Sequence, residues 1–476
     1  MTGEERQDED GERQPLLQQQ RHRRESQLDA GEGGDSRALI TFDDEDAENP
    51  RAWKFREKLA NMGVIAAMAI LSPLASSMFT PGIGQIAEGL DTDEQSVIAC
   101  TTGFVIMLGI GPLILAPLSE TFGRRPLYLV CFSIFSLLQI PSALAPNIET
   151  LIAVRTLSGF FGSVGIANGV GPLLGPTIGP LFGGLVVHHL GWRWVFWILT
   201  IVCSVNTLAG WLLLRETYAP IILHKRKQQW EKDENAPGKY SYKGEDTRPL
   251  AKKMLRSFLR PLRIFTQPIV FTMSIYQAII FATTYSIYTN MQPIFSDKYG
   301  FTTDQVGLLY LGPGLGFLTA VWFIVPIDRV WRMLAKKYDD GGRPEYRLPL
   351  ANIGSVLIPI SLFVFAWTVE RKVFWLVPII ATYFYGIGQV TILNTTTNYY
   401  IDSFERYSAS AIAAGAVFRS VVGGIIPLFA PGLFDDLGYG WGVSVFGFLA
   451  LAIAPAPLIF YYFGARVRKR FQIDLD

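Results

Sequence analysis

The chain alternates between long apolar runs and short segments that hold most of its charged residues. Each apolar run is about twenty residues long, which is the length that an α-helix needs to cross ~30 Å of hydrocarbon. We therefore predict an all-α membrane protein with twelve transmembrane helices in two six-helix bundles. The predicted spans are 59–79, 96–118, 126–145, 151–168, 171–187, 194–214, 268–290, 305–327, 348–368, 374–398, 408–432 and 441–463.

Composition agrees with this prediction. Of the 476 residues, 50% are hydrophobic and 17% are charged, whereas soluble domains have about 25% charged residues. The net charge is only +1, and the basic residues lie in segments next to the apolar runs. We therefore expect the lipid bilayer as a partner and no nucleic acid.

The positions of Lys and Arg predict the orientation. With the N-terminus inside, the inner segments hold 36 of the 42 cationic residues and the outer segments hold 4. Because cationic residues collect on the cytoplasmic side, both termini are predicted to be cytoplasmic. The plasma membrane is the expected location and the vacuolar membrane the alternative, since "ERQPLL" (12–17) fits an acidic dileucine sorting signal or a chance match.

The same pattern divides the chain into five regions. The N-terminal region has few large apolar residues, which predicts disorder. The regions are a disordered cytoplasmic tail (1–58), an N-terminal six-helix bundle (59–214), a cytoplasmic central loop (215–267), a C-terminal six-helix bundle (268–463) and a cytoplasmic C-terminal tail (464–476).

The run 151–187 is unusual because it is too long for one span and too short for two ordinary ones. As a single helix it would measure about 55 Å, and the orientation requires that it cross an even number of times or not at all. We predict two short crossings that abut near 168–171. Within it, glycines recur every four residues, so they share one helix face and allow a second helix to approach closely.

A second motif, "APLSETFGRRP" (116–126), places a carboxylate, a glycine and two arginines at the cytoplasmic end of the second span. The four residues are Glu120, Gly123, Arg124 and Arg125. We predict a cluster that latches neighbouring helices in one conformation, although anchoring by the two arginines is a simpler alternative. The segment "VPIDRVWR" (325–332), with Asp328 and Arg329, is its expected equivalent in the second half.

A third motif, "RTLSGFFG" (155–162), places Arg155 within the fourth span, with Gly159 one turn later. A charged residue inside a membrane is costly and is a candidate for function. The alternative is that Arg155 extends its side chain to the outer surface.

Together these motifs resemble those of a known family. Glu120-x-x-Gly-Arg-Arg, Arg155-x-x-x-Gly159 and "GPTIGPLFGG" are similar to the superfamily-wide, proton-relay and antiporter motifs of the major facilitator superfamily. Stretches such as "GWRWVFWI" and "RETYAPIIL" resemble its fungal twelve-span drug:proton antiporters. The residues of the antiporter motif are Gly175, Pro176, Gly179, Pro180, Gly183 and Gly184.

The resemblance implies the major facilitator fold and the export of drugs, toxins or secondary metabolites by proton antiport with alternating access. It implies a small-molecule substrate, a monomer, a proton gradient as the energy source, no cofactor, no metal and no enzymatic activity. A facilitator or importer is one alternative. A transport-inactive or regulatory membrane protein is another, because members of this family have some two dozen more residues between "GIANG" and "GPLLGP".

The resemblance also implies a central cavity between the two halves. Aromatic and amide side chains in such a cavity suit amphiphilic organic molecules, although about half of the tyrosines are expected to pack helices or lie at the interface. No carboxylate lies near the middle of a span, so no carboxylate proton carrier is identified. The candidate lining residues are Ser76, Tyr276, Gln277, Tyr285, Tyr383, Gln389, Asn394 and Arg419.

Overall fold

The computed structural model describes residues 28–29, 38–42, 46, 48–165, 171–233, 239–242, 244–245, 248–322, 324–338, 342–404 and 407–471. The dileucine pattern at 12–17 and the predicted turn at 168–170 lie outside these residues. So do most of the predicted N-terminal tail and the end of the C-terminal one.

The N-terminal half is a bundle of long apolar helices. Its helices pack in pairs, with α1 against α6, α3 against α5 and α4 against α7. The helices are α1 (Phe55–Ser77), α2 (Ile83–Gly89), α3 (Glu94–Phe122), α4 (Arg124–Ala143), α5 (Ile148–Gly162), α6 (Gly171–Leu190) and α7 (Trp192–Leu213).

The segment between the two halves contains α8 (Ala219–Asp233) and α9 (Leu250–Phe265). The helix α9 is amphipathic and packs against α3. It is the last helix of the central segment and directly precedes the second half of the chain.

The C-terminal half repeats the helical architecture. A left-handed glycine, Gly438 (φ 72°), interrupts α17 between the eleventh and twelfth predicted spans. The helices are α10 (Pro268–Tyr299), α11 (Thr303–Leu309), α12 (Leu311–Trp322), α13 (Ile324–Tyr338), α14 (Ala351–Glu370), α15 (Leu376–Ser403), α16 (Ser408–Ile425), α17 (Ala430–Ile453) and α18 (Ala456–Arg470), and a 3₁₀ helix (Pro344–Leu350) precedes α14.

Among the described residues, ten helical segments are long and apolar enough to cross a membrane. They correspond to all predicted spans except the fourth and fifth. The helix α5 has 15 residues, about 22 Å, which is less than the thickness of the hydrocarbon core. The all-α architecture is confirmed, while the count of twelve crossings stays a prediction.

The helices α5 and α6 both stop short of the predicted cytoplasmic side. Just after α5, a Cβ at Gly165 would lie 3.0 Å from the backbone carbon of Met68, and one at Gly175 would lie 2.8 Å from the carbonyl oxygen of Ile70. Met68 lies about 20 Å beyond the start of α1. On the face of α1 that holds Ile70, no described atom lies within 4 Å of a Cβ at Gly63. The described parts of α5 and α6 therefore do not cover the cytoplasmic part of this face.

The region predicted as a disordered tail is ordered in part. The strand β2 (Ala38–Ile40) pairs with β1 (Leu28–Asp29) and with β3 (Tyr240–Tyr242) of the central segment. Ile40 is fully buried against Leu223 and Trp230. The disorder prediction is wrong here because this order depends on contacts with residues about two hundred positions away.

Candidate functional site

The two halves meet along α3 and α16, close to the predicted outer side. Thr102 donates its hydroxyl to the carbonyl of Gly424 at 2.8 Å, and Gln95 donates its amide to the carbonyl of Leu428 at 3.1 Å. Gln95 and Thr102 lie in the first three turns of α3, which begins on that side. These bonds therefore close the outer ends of the two bundles.

A second set of contacts joins α10 to α1 and α6. The hydroxyls of Ser76 and Tyr285 lie 3.2 Å apart, and those of Thr177 and Tyr288 lie 3.1 Å apart. All four side chains are buried. Ser76 therefore contributes to the closure between the halves.

The glycines of α6 pack against α1, as their spacing predicts. A Cβ at Gly175 would lie 2.6 Å from the amide nitrogen of Leu74, and one at Gly179 would lie 2.8 Å from the carbonyl oxygen of Leu74. Gly183 meets the carbonyl of Met78 more closely still. No larger side chain fits at these positions without moving the helices apart.

A neighbouring face of α6 contacts the other half. A Cβ at Gly184 would lie 2.7 Å from the Cα of Gly307 in α11, and one at Gly307 would lie 3.3 Å from the carbonyl oxygen of Pro180. Near the outer end of α6, His188 lies 3.7 Å from Asp304. The motif therefore holds α6 between one helix of its own half and one helix of the other.

Arg155 is completely buried inside the N-terminal half. Its guanidinium donates a hydrogen bond of 2.6 Å to the carbonyl of Ala75, and Nε and Nη1 have no acceptor. Three rings surround the guanidinium, with centroids 4.4–5.6 Å away: Phe79, Phe104 and Phe196. The arginine therefore does not extend to the outer surface.

Gly159 lies one turn beyond Arg155 and brings α5 against α3. A Cβ at Gly159 would lie 2.8 Å from the Cα of Phe104. This close approach places Phe104 over the guanidinium of Arg155. The two residues of the predicted proton-relay motif thus belong to one packing arrangement.

The turn between α3 and α4 is stabilised by a residue that sequence reasoning missed. Gly123 adopts φ 102°, and the Glu216 carboxylate accepts the backbone N–H groups of Arg124 (3.2 Å) and Arg125 (3.0 Å). A carboxylate at the start of a helix is favoured by the helix dipole. Glu120 is exposed at the end of α3. The only sequence signal for Glu216 was its place directly after the sixth span.

The second half has its glycine turn in a different place from the predicted one. The side chain of Asp328 lies outside the described residues, and Arg329 is exposed in α13, which continues past the eighth predicted span. The left-handed glycine is Gly342 (φ 88°). The prediction that Asp328 and Arg329 mark an equivalent turn is wrong, because α13 intervenes.

Next to the Gly342 turn, a buried ion pair joins the 3₁₀ helix before α14 to the end of α18. The Glu345 carboxylate accepts hydrogen bonds of 2.7 Å and 2.9 Å from Nη2 of Arg468. Glu345 is buried, with 3% of its surface exposed. Glu216 joins the end of α7 to the start of α4, and the Glu345–Arg468 pair joins the corresponding elements of the second half. In the first half the carboxylate follows the last helix, whereas in the second half it precedes α14.

A small pocket, with room for about one water molecule, lies between the two halves. It includes two predicted residues, Tyr285 and Gln389, and the side-chain oxygen of Gln389 is buried without a hydrogen-bond partner. Phe281 lies one turn from Gln277, so helical spacing could have found it. The lining residues are Pro176, Thr177, Phe281, Thr284, Tyr285, Tyr288, Phe317 and Gln389.

Three predicted lining residues lie elsewhere. Tyr276 is fully buried in the core of the C-terminal half. Tyr383 donates its hydroxyl to Thr319 at 3.2 Å, and the oxygen of Asn394 accepts a bond of 3.1 Å from Asn398. These contacts lie within the C-terminal half, so the three residues pack helices rather than line this cavity.

Arg419 and Gln277 lie next to the cavity. Arg419 donates a hydrogen bond of 3.2 Å to the Gln277 side-chain oxygen, and its guanidinium lies 4.9 Å from the centroid of the Phe281 ring. Phe281 therefore separates a half-buried cation from a space lined by hydroxyl and amide groups.

Comparison with known proteins gives consistent matches. A family model described as Major Facilitator Superfamily matches residues 65–171 and 167–427, and these two segments meet where α5 and α6 abut. The MFS-type transporter tndD of Aspergillus flavipes is 36% identical over 455 residues, which cover 90% of this chain and 84% of that protein. The efflux pump radE of Floropilus chiversii is 36% identical over 461 residues, covering 90% and 85%.

A solved structure has the same fold. The xylose transporter XylE of Escherichia coli, in a partially occluded inward-open conformation, superimposes with a TM-score of 0.62 at 15% identity. The match covers 86% of this chain and 98% of that one.

Proposed function

Because the chain belongs to the Major Facilitator Superfamily, we propose that it exports small organic compounds by alternating access. Its family and relatives are transporters, not enzymes. The observation that carries the proposal is the cavity between the halves, together with closure on the predicted outer side by the pairs Thr102–Gly424 and Ser76–Tyr285. A compound then enters from the cytoplasm and leaves when these outer contacts break.

The chemistry of the cavity supports organic substrates. Phe281 and Phe317 offer apolar surface, and Tyr285, Tyr288 and Gln389 offer hydrogen-bonding groups. Such sites orient a ligand with a few polar contacts and bind it mostly through apolar area.

Proton antiport is the proposed energy source, with no cofactor. An arginine does not release its proton at physiological pH, so Arg155 acts on a partner and does not itself carry the proton. The protein is proposed to act as a monomer, with both termini in the cytoplasm and in the plasma membrane, or in the vacuolar membrane.

The test is the cellular accumulation of fluorescent compounds in a yeast strain that lacks its own efflux pumps. Expression of the tagged full chain lowers accumulation if it is an exporter at the plasma membrane. Raised accumulation would instead identify an importer or facilitator. Microscopy of the tag establishes in the same cells that the protein has reached the membrane.

One observation favours a second candidate, a membrane protein that does not transport. Among the described residues, α5 and α6 do not cover the cytoplasmic part of one face of α1, near Gly63. Unchanged accumulation, with the protein at the membrane, would support this candidate. Sequencing the transcript decides its origin, because an additional in-frame exon between the codons of Asn168 and Gly171 would restore the length of both helices.

A further inference from the structure

Arg419 is a half-buried cation in the middle of an apolar span. It lies about 16 Å along α16 from the predicted cytoplasmic end. Its side chain is half-buried, and its hydrogen bond is to the neutral amide of Gln277. The Nε atom is buried and has no acceptor.

No protein carboxylate within the membrane can neutralise this charge. None of the twelve predicted spans contains Asp or Glu. The groups that interact electrostatically with the guanidinium are the hydroxyls of Tyr285 and Tyr400. These hydroxyls are polar but uncharged, so the cation keeps its full charge in a region where an unpaired charge is costly.

Arg155 has no carboxylate partner either, but its surroundings differ. Phe79, Phe104 and Phe196 enclose its guanidinium, and no part of the residue is exposed. Of the two arginines, Arg419 is therefore the more open to a ligand, being half-buried where Arg155 is fully enclosed.

One aromatic ring, that of Phe281, lies between Arg419 and the cavity. The guanidinium lies over one side of Phe281, which also lines the cavity. Within the cavity, the unpaired oxygen of Gln389 can accept a hydrogen bond, and Thr284 and Tyr288 present hydroxyls. This arrangement suits an aromatic ring that carries a hydroxyl at one end and a negative group at the other.

We propose that the transported compounds are aromatic organic anions, with a carboxylate or an acidic phenol bound by Arg419 and the ring held beside Phe281. This inference rests on the export function proposed above and specifies its substrate class. The substrate supplies the counter-ion that the protein lacks, and Gln277 fixes the direction of the guanidinium.

Binding to the purified full chain tests the site without requiring transport. The probes are 1-naphthoate and the neutral 1-naphthamide, which share a ring system. We expect 1-naphthoate to raise the thermal unfolding midpoint of the wild type by several degrees and 1-naphthamide to leave it unchanged. Arg419→Gln removes the shift, and Arg419→Lys keeps part of it because the charge remains. Equal shifts from both compounds, or a full shift in Arg419→Gln, would overturn the proposal.

Export of two dyes with the same xanthene ring separates the proposal from the proposed function. We expect the wild type to lower the accumulation of anionic fluorescein and Arg419→Gln to slow its efflux at least tenfold, since a charge-assisted bond is lost. Export of cationic rhodamine 6G but not of fluorescein contradicts the anion proposal and leaves export standing. If neither dye is exported while 1-naphthoate still stabilises the wild type only, the export function fails and the anion site stands.

Discussion

The fourth membrane helix of the first half, α5, has 15 residues, whereas α15, which holds the corresponding place in the second half, has 28. The long helix α15 is covered along its length by α12 and α14. In the first half, the described parts of α5 and α6 contact α1 from Met68 onward and leave Gly63 without a contact from either helix. Within the described residues, the first half is thus packed more fully on the predicted outer side than on the cytoplasmic side.

The closest helix contacts of the first half lie on its outer side. On the outer side, α1 and α6 approach to backbone contact at Gly175, Gly179 and Gly183. Among the described residues, no such backbone contact is made at Gly63 in the cytoplasmic part of α1. The same substitution at Gly179 of α6 and at Gly63 of α1 is therefore expected to differ most in its consequences.

We expect Gly179→Leu to cost at least about 3 kcal/mol and to abolish efflux. The reason is that its Cβ would lie 2.5 Å from Ser77 Oγ and 2.8 Å from the carbonyl oxygen of Leu74. The matched control is Gly63→Leu, which changes stability by less than about 0.5 kcal/mol. Size-exclusion profiles of the tagged proteins show whether each of the two variants remains folded. A wild-type profile for Gly179→Leu would show that α6 is not held by α1 as described.

The arginines of the two halves form the second contrast. Arg155 is enclosed by phenylalanine rings, whereas Arg419 is half-buried and lies against Phe281, a ring that lines the cavity. Removing an unpaired buried charge while keeping the volume is often neutral or stabilising. A protein that keeps such a charge at a cost to stability is therefore expected to use it.

We expect Arg155→Met to keep the protein folded and to slow efflux tenfold or more, because its bond to Ala75 and its charge are both lost. The measurements are the unfolding midpoint and the efflux rate of the same preparation. Arg155→Ala is the volume control and also lowers the midpoint, since it leaves a cavity among three rings. Wild-type efflux by Arg155→Met would leave Arg155 with a structural role only.

These cases show what the sequence could predict. Span positions follow from hydropathy alone, and the glycine face of α6 follows from a four-residue period, so both were predictable. The rings around Arg155 come from α3, from α7 and from the turn after α1, and Glu345 lies 123 positions from Arg468. Such contacts depend on how the helices pack, which no local pattern encodes. For the same reason Tyr276 and Tyr383 were assigned to the cavity although they pack within the second half.

The cytoplasmic turns form the third contrast, with the smallest expected effect. Glu345 is buried and paired with Arg468, whereas Glu216 is half-buried and accepts backbone N–H groups at the start of α4. We expect Glu345→Gln to lower the free energy of unfolding by about 2 kcal/mol, because a charge-assisted bond becomes a neutral one. Glu216→Gln is the matched substitution and costs about 1 kcal/mol, since one oxygen still accepts an N–H while the amide NH2 removes the other acceptor at a solvent-exposed N–H and the interaction with the helix dipole is weakened.

Thermal unfolding of the two variants at low and high salt measures this difference. Salt screens exposed charges more than buried ones, so added salt removes most of the small effect at Glu216 and little of the effect at Glu345. Equal costs with equal salt dependence would mean that the two turns are held alike. The greater burial of Glu345 would then give its turn no more stability than the turn at Glu216. The difference between the two halves would be limited to the lengths of α5 and α6.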